Sequence, residues 1–112
     1  MVYDFACKIM NVQNNESLSD EVLRGIIDTV NANYDIRLDF KFVLPSDDQP
    51  REFLVKAQAS ISSMVGYHDK ELELAVEAFK SYLSELANAI QGTVSERDGF
   101  YNNTQSFKRL YT

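Results

Sequence analysis

Leu38, Phe40, Phe42 and Leu44 alternate with Asp39, Lys41 and Val43 until Pro45 stops the run, the clearest strand pattern in the chain. Near the start, Tyr3, Phe5, Cys7 and Ile9 are apolar with Asp4 and Lys8 between them, which predicts a half-buried strand over Val2 to Val12. Phe5, Ile9 and Val12 also share one face at helical spacing, so a helix stays open there as the second reading. Between the two strands, Leu23, Ile26, Ile27, Val30 and Tyr34 recur at helical spacing. Ser17 to Asp20 has the form of a capping box with Asp in the Glu position, so a helix is predicted from Ser17 to Asn33.

Ser46 to Pro50 reads as a turn and a helix start, with Asp48 or Gln49 at the cap and Pro50 in the first turn. Leu54, Ala57, Ile61 and Met64 follow at helical spacing, which predicts a helix running to Val65 with Gly66 as its break. Leu72, Val76, Phe79, Leu83, Leu86 and Ile90 then form a heptad seam, shifted by one residue from the earlier stripe. A phase slip beside a glycine predicts two helices joined at Gly66 and Tyr67, with Gly92 closing the second at its C′ position. Ala75, Tyr82 and Ala89 widen the seam, so this helix is expected to bury itself against more than one neighbour.

From Thr93 the apolar period disappears, and Ser95 to Gly99 is charged and turn-like. The expected fold is a single α+β domain spanning residues 1–112, in β-α-β-α-α order. It has a small two-stranded sheet, a long helical hairpin and an irregular C-terminal tail over 93–112. If the two strands pair, the intervening helix requires a parallel, right-handed crossover. Two strands leave unpaired edges, and the hairpin is half of a four-helix bundle. A homodimer would relieve either deficiency; in a monomer the tail and the first helix would cover the exposed surfaces instead.

Composition sharpens this picture. The 112 residues include 17 acidic and 11 basic side chains, for a formal net charge of −6. Six tyrosines and seven phenylalanines supply core material, and a chain of this length builds one core. An acidic balance argues against direct nucleic-acid binding, which needs a concentrated positive field. No basic n-region with an apolar h-region opens the chain, and no run approaches the roughly 20 apolar residues of a membrane span. With a single cysteine, Cys7, the expected setting is cytoplasmic and reducing.

Candidate chemistry is sparse. His68 is the single histidine and neighbours Asp69, a pair capable of general-base work, but no nucleophile stands in a recognisable elbow. At a helix N-terminus the dipole disfavours the imidazolium, so an exposed turn histidine with Asp69 as cap is the favoured reading. Cys7 falls on the apolar side of its strand, where a thiol behaves as a small hydrophobe with an ordinary or raised pKa. Asp47, Asp48 and Glu52 lack the spacing of a calcium loop. The four glycines, Gly25, Gly66, Gly92 and Gly99, form no phosphate-binding loop. No catalytic residue, cofactor or metal site is expected.

Charge placement carries more. Asp20 and Asp28 on the first helix, with Glu73 and Glu77 on the long one, project outward, where they serve solubility or steer a basic partner. The last twelve residues carry two cations among aromatics. Phe107 and Leu110 are expected to pack on the core, and Tyr101 and Arg109 are candidate anchors for a partner. The functional expectation is a non-enzymatic protein-binding module, in its specific form an inhibitor, counter-defence or immunity-type protein occluding a basic site. The alternative is a structural protein that assembles through its helical hairpin and strand edge.

Overall fold

A computed structural model describes residues 2–14, 18–34, 38–46, 49–60, 68–103 and 106–111. Its elements are β1 (Val2–Met10), α1 (Asp20–Tyr34), β2 (Leu38–Ser46), β3 (Gln49–Ser60), α2 (His68–Ile90), β4 (Thr93–Asn103) and β5 (Ser106–Arg109). The strands form one sheet in the order β2-β3-β1-β4-β5, and every pairing is antiparallel. Strands β1 and β2 therefore run in the same direction without touching, because β3 lies between them. The same relation holds for β3 and β4 across β1, so each helix closes a split βαβ unit.

The α+β class is as expected, but the five-stranded sheet replaces the two-stranded one. Residues 49–60, expected to open a helix, are a strand. Phe53, Val55, Ala57 and Ala59 are buried while Glu52, Leu54, Lys56 and Gln58 are more accessible, a period of two. The helical spacing of Leu54 and Ala57 competes with this alternation, and alanine is a strong helix former. What decides is the partner. Each inward residue of β3 lies opposite an inward residue of β1, with Phe5 facing Ala57, Cys7 facing Val55 and Ile9 facing Phe53. The remainder of that expected helix, 61–65, and Gly66 lie outside the described residues. Among the described residues there is no helical hairpin, and α2 packs on α1 and on the sheet.

The core is the layer between sheet and helices. Tyr3, Phe5, Cys7 and Ile9 meet Phe79, Tyr82, Leu83, Leu86 and Ile90 of α2, all essentially inaccessible. The Phe5 and Phe79 rings stack at 5.2 Å between centroids. Val30 is the fully buried residue of α1, while Leu23, Ile26, Ile27 and Tyr34 pack against the core from its edge. The breadth of the α2 seam is explained by this arrangement, since the helix touches α1 and four strands.

Helix ends differ from expectation in detail. The N-cap of α1 is Ser19, whose Oγ accepts a hydrogen bond from the Val22 amide at 3.3 Å; Ser17 lies outside the described residues. At the end of α2 the left-handed residue is Gln91, with φ of 53°, so Gln91 and not Gly92 is C′. The Gly92 amide bonds the Ala87 carbonyl at 2.9 Å and the Gln91 amide that of Asn88 at 3.4 Å, the two bonds of a Schellman motif. Gly92 is required for space: a Cβ there would lie 2.5 Å from Ile9 Cγ2. Gly25, by contrast, sits within α1 with nothing within 4 Å of a built Cβ. Gly25→Ala should therefore stabilise the protein by about 1 kcal/mol. A urea titration checks it, and an unchanged midpoint would mean that α1 frays at this turn.

The expected irregular tail is also strand. Strand β4 pairs with β1 at Thr93 to Ser95 and again at Phe100 and Tyr101, with a bulge between. From Ala6 to Lys8 the register steps from Phe100 back to Ser95, so β4 carries three extra residues, and these erase the period of two. Leu110 is buried and its amide donates to the Gly99 carbonyl at 2.7 Å. Lys80 Nζ stands 5.0 Å from the centre of the Tyr111 ring, tying the chain end to α2.

Candidate docking surface on the open sheet face

With both helices on one side, no described element covers the other face of the sheet. Residues of one row across it follow from the register: Lys56 of β3 opposite Ala6 of β1, Ala6 opposite Phe100 of β4, and Phe100 opposite Arg109 of β5. On β2 the register position beside Lys56 is Phe42. The next row places Gln58 against Asp4 and Asn102 against Phe107. Small Ala6 between longer neighbours leaves a depression. A groove of about 540 Å³ opens there, lined by Asp4, Ala6, Lys56, Gln58, Phe100 and Phe107 with the flanking Phe5 and Ala57. Phe107 stands beside it 77% exposed, and Phe100 is 36% exposed.

The charge of the two layers is opposite in sign. The helices carry eight acidic and three basic residues in their sequences. The five strands carry five acidic and seven basic ones. The negative charge of the chain is thus concentrated in the helical layer, and the sheet is mildly cationic.

Of the residues singled out from the sequence, Asp20, Asp28, Glu73 and Glu77 are all exposed on the helical layer, and Glu77 is within 3.8 Å of Lys80. Arg109 is exposed on β5, in the row with Phe100. Tyr101 is half-buried with its ring 5.8 Å from that of Phe5, on the side of the sheet facing the helices. The structure therefore does not gather these six into one site. Phe107, expected in the core, is the most exposed large apolar side chain among the described residues. Leu74 is exposed, as its place opposite the seam requires.

His68 begins α2, and its side chain and that of Asp69 lie outside the described residues, as do Asp47 and Asp48. Among the described residues no group of three or more potential ligands converges on a metal position. No helix among the described residues is long and apolar enough to cross a membrane.

Cys7 lies under the β4 bulge, fully buried, with Sγ 3.4 Å from the Ser95 carbonyl. The bulge is braced by Ser95 Oγ donating to Asp98 Oδ2 at 2.7 Å. Gly99 allows the close fit, since a Cβ there would sit 3.1 Å from Leu110 Cβ and 3.3 Å from Cys7 Sγ. Burial pushes the thiol up from 9.0 to about 12, and the carboxylates of Asp98 and Glu96 add to it. Buried and held protonated, the thiol packs as a small hydrophobe. Between pH 9 and 12 the unfolded chain releases this proton and the folded chain retains it, so stability falls as pH rises through that window. Tyr82 and Tyr111, raised from 10.0 to about 12 mainly by burial, steepen the fall above pH 10. Cys7→Ala should flatten the part of the curve between pH 9 and 10, read as the urea midpoint against pH. An equally steep curve would mean that the thiol is already hydrated in the fold.

No family model, curated protein or solved structure matches this chain. The functional argument therefore rests on the geometry of the open face. Asp4, Lys56, Gln58 and Phe100 were missed as a group because β3 and β4 were not read as strands. The signal was present in β3, where Glu52, Leu54, Lys56 and Gln58 alternate with Phe53, Val55, Ala57 and Ala59.

Proposed function

We propose that this chain is a non-enzymatic protein-binding module that docks its partner on the open sheet face. The observation that carries the reading is Phe107, an aromatic ring 77% exposed on a strand beside a groove that Phe100 also lines. Aromatic side chains held on regular elements are the residue type that dominates binding energy, and strands fix their direction at little entropic cost. Arg109 in the same row adds a second anchor type. In the finer form of this proposal the partner has a basic surface, as for an inhibitor or immunity-type protein. The acidic helical layer, with Asp20, Asp28, Glu73 and Glu77, then speeds encounter without forming the contact.

A pull-down from lysate of the source cells, washed at graded salt, tests both parts. Phe107→Ser should abolish retention of a stoichiometric partner. Charge reversal at the four acids should slow association several-fold and reduce its salt dependence. Retention by Phe107→Ser, or the absence of any stoichiometric partner, would refute the docking role of this face.

A further inference from the structure

We infer that the occupant of the open sheet face is a second copy of this chain, packed face to face across a two-fold axis lying between the two sheets. The inference rests on the docking role proposed for that face and names what fills it. A two-fold contact requires a surface that is its own complement. This face meets that requirement in charge, because Asp4 and Lys56 line the same groove. The exposed Phe107 adds apolar area at its β5 side.

The register gives the pairing. Asp4 lies opposite Gln58 and Ala6 opposite Lys56, so these four positions form a parallelogram with Asp4 and Lys56 on one diagonal. A two-fold axis parallel to the sheet and along the Ala6–Gln58 diagonal sets each Asp4 against Lys56 of the second copy. Extent agrees too. Five strands about 4.8 Å apart and roughly nine residues long present about 700 Å², close to the roughly 800 Å² per partner of a stable interface. The helical layer is a poorer self-contact, since its eight acids against three bases repel their own kind.

Sedimentation velocity on the full chain, across a dilution series, is the test. The expected species has twice the 12.8 kDa chain mass. Phe107→Asp, at a position already exposed, should weaken association about tenfold or more with an unchanged far-UV spectrum. Asp4→Lys and Lys56→Asp should each dissociate the dimer, and an equimolar mixture of the two variants should restore it. A monomer at every concentration overturns the inference. So does a dimer indifferent to Phe107→Asp, a mixture that fails to re-associate, or a series of ever larger species showing open-ended assembly. If the chain is monomeric while Phe107→Ser still loses the captured partner, self-association fails and the docking role stands. If capture is also indifferent, both fall.

Discussion

Phe79→Ala should remove about 3–5 kcal/mol of folding free energy, a large share of the 5–15 kcal/mol typical of a domain. Phe79 is fully buried at the middle of α2, and its ring lies against Phe5 on the central strand. Truncation there opens a cavity between helix and sheet that neither rigid element can close, so the cavity cost adds to the lost transfer energy. The expected fall in melting temperature is on the order of 15 °C. A loss below about 1 kcal/mol in urea titration would mean that α2 does not sit over β1 at this point.

Gly92→Ala should cost about 2–3 kcal/mol although it adds a single methyl group. The new Cβ would lie 2.5 Å from Ile9 Cγ2, 3.1 Å from Val12 Cγ2 and 3.2 Å from the Met10 carbonyl oxygen. Ile9 is fully buried and branched at Cβ, so its methyl cannot rotate away without moving β1. The neighbouring position behaves in the opposite sense. Gln91 holds φ of 53°, so Gln91→Gly should stabilise by up to about 1 kcal/mol. Measuring the two variants side by side separates space from conformation. If Gly92→Ala is neutral and Gln91→Gly is destabilising, the turn between α2 and β4 is built differently.

The elements legible in the sequence are those whose period runs without interruption. Strand β1, helix α1, strand β2 and helix α2 each repeat a period over most of their length, and each was placed within a few residues of its observed bounds. Strand β3 was misread because Leu54, Ala57, Ile61 and Met64 offer a helical stripe across the same residues as the alternation from Glu52 to Ala59. Nothing local separates the two. The decision is made by β1 and β2, which pair with β3 on either side. Strand β4 was hidden by its bulge, where Glu96, Arg97 and Asp98 interrupt the pattern with three charged residues in a row. Phe107 reads from the sequence as core because a lone aromatic near Leu110 resembles packing material. Its exposure follows from the β4–β5 register, which sets it opposite Asn102 and away from the helices.

Those corrections change the grounds for a dimer. The open sheet of five strands still has two edges, at β2 and β5, while α2 is covered by α1 and the sheet in place of a hairpin partner. What the described residues leave uncovered is one broad face, and the proposed self-association depends on that face.

The strand order has a consequence for how the chain is made. Strand β1 is synthesised before both of its sheet neighbours, β3 and β4, which follow it by about 40 and 80 residues. Until residue 101 has left the ribosome, β1 has one bare edge and the sheet cannot close around Tyr3, Phe5, Cys7 and Ile9. Closing the sheet therefore depends on long loop closures, which are slow. During that interval β1 keeps one edge bare, and a ribosome stalled before β4 releases a product prone to pairing with its own kind.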